Sequence, residues 1–245
     1  MFQVVHRLMP RAVARQLGRV FPSYNRRQCP ICGESNYEFL PFGVGPRLDA
    51  QCPECSSLER HRLTWLFLKR STDLFQGARK RVLHFAPESM FATRLSKLPH
   101  LEYVTADLMG SQVRVRVDIT EMPFADSTFD VVFCSHVLEH VPDDLRAMRE
   151  CHRVLKPGGW AVFLVPVNVP STIEDPSITD PADRERLFGQ RDHVRRYGPD
   201  VVERLQRGGF IVNSYSPDAV AGAERARFAI PSREGPVLFC RRAEA

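Results

Sequence analysis

The stretch from Phe129 to Pro166 constrains this chain most. Phe-Asp-Val-Val-Phe-Cys, residues 129–134, is a short apolar run rich in β-branched and aromatic residues, the composition of a strand buried on both faces. Pro142-Asp143-Asp144 then predicts a helix start: an early proline, with acids in the first turn. Leu145, Met148, Cys151 and Leu155 recur at three- and four-residue steps behind it. Lys156-Pro157-Gly158-Gly159 ends the helix with a cation, a breaker and permissive glycines. Trp160 to Val165 is a second buried-strand run, so the stretch predicts a βαβ unit with parallel strands.

The wording of the stretch is more specific than its periodicity. Ser135-His-Val-Leu-Glu-His140 after the first strand and Arg153-Val-Leu-Lys-Pro-Gly-Gly159 before the second resemble the corresponding segments of small type 11 class I S-adenosylmethionine-dependent methyltransferases. The resemblance runs from about Arg81 to the C-terminus. It implies an α/β fold with a doubly wound, seven-stranded, mostly parallel sheet. It also implies S-adenosylmethionine as cofactor and an activity of the EC 2.1.1 class.

Arg81-Val-Leu-His-Phe-Ala-Pro-Glu88 is the expected first strand and turn of that domain. The general pattern places an acid at the strand end and glycines in the turn, letting a cofactor approach the backbone. This chain has His84 in the acid's place, Ala86-Pro87-Glu88 in the turn, and no glycine between Ala78 and Pro99. Two readings follow: modified cofactor binding, with Glu88 in the acid's role, or a lost cofactor site. Leu101-Glu-Tyr-Val-Thr-Ala-Asp107 is the second strand, and its terminal acid suits a ribose hydroxyl. Val113 to Val117 reads as an outer strand, and Asp118-Ile119 stands where family members meet the adenine. The implied cofactor set is therefore His84, Phe85, Ala86, Glu88, Asp107, Asp118, Ile119 and Ser135.

Candidate bases for methyl transfer are His136, His140 and His193; the first two are four apart and would share a helix face. Residues 167–198 are too long for a simple crossover and read as a substrate lid, in which Arg195 and Tyr197 would contact an acceptor. The acceptor is unnamed, either a small molecule or RNA.

Upstream, Cys29-Pro-Ile-Cys32 and Cys52-Pro-Glu-Cys55 stand nineteen residues apart, the spacing of a paired-knuckle zinc site. Four thiolates close a tetrahedron, which makes the metal structural. Ser56-Ser-Leu-Glu59 predicts a capping box opening a helix over 58–70, with Glu59, Arg60, Arg62 and Lys69 largely outward. Known relatives join such a module, followed by Ser-Leu-Glu-Arg-His-Arg as at Ser57 to Arg62, to a methyltransferase domain.

The formal charge of +5 sits mostly in residues 1–28, which hold six arginines and no acid, leaving −1 for the rest. Arg7, Arg11, Arg15 and Arg19 form an i,i+4 row. This arm would either meet an anionic partner, RNA or lipid, or pack as a solvated helix. The expected organisation is thus a basic arm (1–28), a zinc module with its helix (29–71) and a catalytic domain (80–245). No apolar run spans a bilayer, and seven cysteines without a disulfide framework suit a reducing, cytoplasmic setting. The alternative reading is an inactive scaffold of the same fold serving as a binding module.

Overall fold

The computed structural model describes residues 26–43 and 45–244, with 13, 16, 17, 20 and 21. The arginine row of the N-terminal arm lies outside the described residues. The chain forms two compact units. One comprises the chain up to Thr72 with Ser216–Glu234; the other comprises Asp73–Tyr215 with the segment from Gly235 onward.

The first unit begins with two small antiparallel hairpins, β1 (Arg27–Gln28) with β2 (Ser35–Asn36), and β3 (Leu40–Phe42) with β4 (Arg47–Gln51). Helix α1 (Glu59–Ser71) follows. Its start differs from the expected capping box: the backbone N–H of Leu58 donates to His61 Nδ1 at 3.0 Å, while Glu59 is held by Arg47 at 2.9 Å. Nor do Glu59 and Arg62 face outward; both are buried. Arg62 is wholly enclosed because its guanidinium donates to four carbonyls, those of Ala50, Ser57, Phe228 and Ala229, and stacks over Phe39. Helical periodicity places a side chain on a face but does not reveal distant carbonyls that make burying a cation tolerable.

The second unit is the expected doubly wound sheet. In chain order it contains β5 (Lys80–Phe85), α2 (Ser89–Leu95), β6 (Leu101–Asp107), β7 (Val115–Arg116), β8 (Phe129–Ser135), α3 (Asp144–Val154) and β9 (Leu155–Leu164). Then come β10 (Ile173–Glu174), α4 (Pro181–Phe188), β11 (Arg195–Arg196), α5 (Val201–Arg207) and β12 (Ile211–Tyr215). The chain next contributes α6 (Gly222–Phe228) to the first unit and returns as β13 (Val237–Arg241). The seven strands lie in the order β12-β13-β9-β8-β5-β6-β7, with β13 antiparallel to both its neighbours and the other pairs parallel.

Burial explains this sheet. Val131, Val132, Phe133, Ala161, Val162 and Phe163 are fully enclosed, as continuous apolar runs require when helices cover both faces. From β5 the chain passes to β6 and β7 on one side and then to β8 on the other, which opens a crevice at the strands' carboxyl ends. Among the described residues no helix is long and apolar enough to cross a membrane.

Candidate active site

At that crevice lies a cleft of about 620 Å³. Phe85 and Ala86 from the end of β5, Asp107 from β6, Asp118 and Ile119 beyond β7, and His136 and His140 beyond β8 all line it. A larger depression of about 740 Å³ runs beside α2 and β6 and contains none of the residues from the ends of β5 and β8.

Ala86 has φ 46° and His136 has φ 54°, so both adopt left-handed backbone at the ends of adjacent parallel strands. Such conformations are costly for residues with a Cβ and concentrate at sites that use them. Ala86 thus makes the chain reversal that glycine makes in the general pattern. Asp107 Oδ1 accepts from the backbone N–H groups of Met109 (2.8 Å) and Gly110 (2.7 Å), fixing the loop after β6. A Cβ on Gly110 would lie 2.9 Å from Asp107 Cβ, so this tight turn requires glycine. Asp118 Oδ1 likewise accepts from the backbone and hydroxyl of Thr120, both at 2.8 Å.

Several expected contacts are displaced. His84 does not line the cleft. Residues alternate across a strand, and its ring points into the core between Phe91, Tyr103 and Phe133. There it joins Tyr103 (2.6 Å) to Glu88 (3.0 Å), so Glu88 is held inward instead of taking an acid's place in the cleft. Ser135 is buried behind the strand end. His136 and His140 do not share an α-helical face either: His136 is left-handed, and Leu138–His140 form a 3-10 turn.

That turn organises the chemistry. His136 Nδ1 lies 2.9 Å from Glu139 Oε1. His140 Nδ1 lies 3.1 Å from Asp192 Oδ2, and its ring stacks edge-on against His193 at 4.6 Å. His193 is buried, with Nδ1 3.2 Å from the Phe188 carbonyl oxygen. Burial, then the neighbouring His140, holds His193 below its ordinary pKa, favouring the neutral ring. His193 therefore adjoins the cleft through His140 and opens onto a separate cavity of about 130 Å³ beneath residues 188–190.

Arg195 and Tyr197 line that small cavity together with His193, and both also carry structural bonds. Arg195 donates to Glu174 (2.9 Å) and to the carbonyls of Leu138, Val141 and Pro142, pinning the 3-10 turn from behind. Tyr197 is fully buried and donates to Asp144 at 2.7 Å. Burial alone would raise the Asp144 pKa, but the Arg204 hydrogen bonds, the Arg195 charge and the Tyr197 hydrogen bond hold it low. An isolated lid sequence shows its cations and rings but not the carbonyls that consume them.

The cleft wall also includes Met109, Val137, Pro142 and Arg146, which sequence reasoning missed. Met109 carried the one available signal, an apolar residue two positions after a strand-end acid; it is 80% exposed. The others depend on where the 3-10 turn sends the chain.

Residues 80–163 match a methyltransferase domain. The matching family model is described as Methyltransferase domain and spans β5 through most of β9. The ubiquinone biosynthesis O-methyltransferase of Albidiferax ferrireducens is 39% identical over 72 residues, 29% of this chain and 27% of that protein. The chain thus spans only about a quarter of that curated relative. Among solved structures, an S-adenosylmethionine-dependent methyltransferase from Mesorhizobium loti is 18% identical, with a TM-score of 0.51 over 75% of this chain and 100% of that one. The 1,6-didemethyltoxoflavin N1-methyltransferase of Burkholderia thailandensis, solved with 1,6-didemethyltoxoflavin and S-adenosylhomocysteine, is 15% identical, with a TM-score of 0.51 over 76% and 79%. These likenesses show the fold, and the matched stretch 80–163 carries β5, β6 and β8, whose ends line most of the cleft.

In the first unit, one ligand atom from each of Cys29, Cys32, Cys52 and Cys55 lies within 4.8 Å of the others. Cys29 and Cys55 sulfurs are 3.6 Å apart, and those of Cys32 and Cys52 3.8 Å. A tetrahedral ion with metal–sulfur bonds of about 2.3 Å requires sulfurs about 3.8 Å apart. Hydrogen bonds from Cys52 and Cys55 push the Cys29 pKa down, whereas burial raises that of Cys32 to about 12.

Proposed function

We propose that this chain transfers a methyl group from S-adenosylmethionine to an acceptor, a small molecule or RNA. The observation that carries the proposal is the cleft, where Ala86 and His136 hold left-handed backbone and Asp107 presents a carboxylate. Phe85, Ala86, Asp107, Asp118 and Ile119 would hold the cofactor, which supplies an electrophilic methyl on a sulfonium. Among the described residues Asp107 Oδ2 makes no hydrogen bond, so it suits a ribose hydroxyl, while Ile119 and Phe85 give an apolar bed for adenine. His136 faces the same cleft and is the group placed to accept a proton from an acceptor there.

The first unit would hold one structural zinc through its four cysteines. The match of the sulfur separations to a tetrahedron supports this. Seven free cysteines, four of them clustered in the first unit, fit a reducing compartment, which we take to be the cytoplasm. The arginines of the N-terminal arm would meet an anionic partner.

Calorimetric titration with S-adenosylhomocysteine tests the cofactor assignment. Asp107→Asn keeps the Oδ1 acceptor that fixes the loop and replaces the free carboxylate oxygen with an amide. It should weaken binding by about 1.5–3 kcal/mol, the scale of a charged hydrogen bond. An unchanged dissociation constant removes Asp107 from the assignment, and no binding by the parent chain removes the cofactor.

A further inference from the structure

Glu139, His140 and His193 each offer one ligand atom, and these lie within 4.8 Å of one another. Their remaining hydrogen bonds are arranged as in a metal shell. His193 Nδ1 faces a backbone carbonyl and His140 Nδ1 a carboxylate. Each ring can therefore donate through Nδ1 and offer Nε2 to an ion, the arrangement that ligating histidines adopt. Glu139 is 1% exposed; one carboxylate oxygen meets His136, and the other, Oε2, is buried without a hydrogen-bond partner among the described residues. An unpartnered buried carboxylate oxygen beside two imidazole rings is costly as it stands and favourable once a cation sits among them. The scaffold holds all three: the Val194 N–H donates to the Glu139 carbonyl, and Arg195 pins the 138–142 backbone.

We propose that Glu139, His140 and His193 bind one divalent transition-metal ion at the edge of the cleft, separate from the four-cysteine cluster. The role of this site rests on the methyl-transfer reading; its existence does not. Two histidines and one carboxylate make a three-ligand set that leaves coordination positions open. Those positions suit an acceptor oxygen, a hydroxyl or a pair of hydroxyls, whose pKa falls on binding the metal. His136 then differs from the other two histidines. Its Nδ1 is oriented by Glu139, its Nε2 is buried without a hydrogen-bond partner among the described residues, and the residue lines the cleft. The hydroxyl proton would pass to that nitrogen while the oxygen forms its bond to the methyl carbon, and the sulfonium C–S bond would break to leave S-adenosylhomocysteine. The three histidines thus divide into two ligands and one base, and the acceptor class is an alcohol, a phenol or a ribose.

The test is a titration of the full chain, its cysteine cluster filled, with Co²⁺ alone. Cobalt on nitrogen and oxygen ligands gives weak visible bands, whereas cobalt on thiolates adds an intense sulfur-to-metal charge-transfer band. The expected result is one equivalent bound with visible bands and no added charge-transfer band. Glu139→Gln should weaken that binding at least tenfold, and Asp192→Asn by about tenfold, the scale for a partner of a ligating histidine. Asp192 is largely exposed, so its variant keeps the experiment decisive if Glu139→Gln fails to fold. Absence of the visible bands, or equal affinity in both variants, overturns the site. S-adenosylhomocysteine binding is measured on the same samples. Cobalt bound in a chain that ignores S-adenosylhomocysteine sustains the metal site and removes methyl transfer; the reverse pattern removes the metal alone.

Discussion

Ala86 shows at the scale of one residue how a turn can keep its shape after losing its glycine. Its left-handed backbone costs about 1–2 kcal/mol, and glycine would remove that strain while adding about 0.5–1 kcal/mol of unfolded-state entropy. Ala86→Gly should therefore raise chemical-denaturation stability by no more than about 1.5 kcal/mol and leave S-adenosylhomocysteine affinity intact. Ala86→Val, β-branched at positive φ, should lose more than about 1 kcal/mol and weaken the cofactor. Equal stability of the two variants would count against the left-handed turn. His193 gives a pH prediction. Burial holds its folded pKa below the ordinary 6.5, so its contribution is fully present above that value and is lost as pH falls toward the folded pKa. His152 is lowered by burial and by Arg242 in the same direction. Thermal midpoints should fall as pH drops below about 6.5, and His193→Gln should flatten the slope. An identical slope in the variant would exclude His193 as its source.

Among elements, the 3-10 turn Leu138–His140 depends on a buried charge network. Asp144, at the start of α3, takes two bonds from Arg204 (2.7 and 2.9 Å) and one from Tyr197, while Glu174 on β10 holds Arg195 and Arg204. Asp144→Ala leaves buried cations short of a partner and should cost about 3–5 kcal/mol, against far less for the exposed Glu121→Ala. Hydrogen exchange should accelerate at residues 138–142 and 194–197 together; acceleration confined to α3 would show that the elements are not coupled. The network was illegible in the sequence, although its residues were visible. Strands β5, β6 and β8, and β9 from Trp160 on, could be read directly because apolar residues recur along each, but β9 begins at Leu155, inside the stretch expected to stop the helix. Strands β10 and β11 are two residues each, with a register set by partners about twenty positions away. The same limit applies to the site. Ala86, Asp107 and His136 follow from strand-end position, but composition cannot show that Arg195 also spends its donors on the carbonyls of 138–142 or that Tyr197 bonds Asp144.

For the whole molecule, the decisive long-range feature is Arg62, whose carbonyl partners include Phe228 and Ala229. Chelation should release about one zinc per chain and melt the first unit ahead of the second, giving two calorimetric transitions where the loaded protein shows fewer; Cys52→Ser should behave as chelated. A chelated protein that melts as before would rule out a structural metal. The unit's make-up also sets a schedule on the ribosome. The cysteine hairpins and α1 emerge early, yet residues 216–234 are translated only after β5 through β12. Strand β13, which separates β12 from β9, comes later still. During synthesis the thiols must therefore wait, reduced and incompletely packed, and a ribosome that stalls before Ser216 releases a chain in which neither unit can close. Such fragments should be strong substrates for holdase chaperones, whereas full-length chains should escape them soon after release.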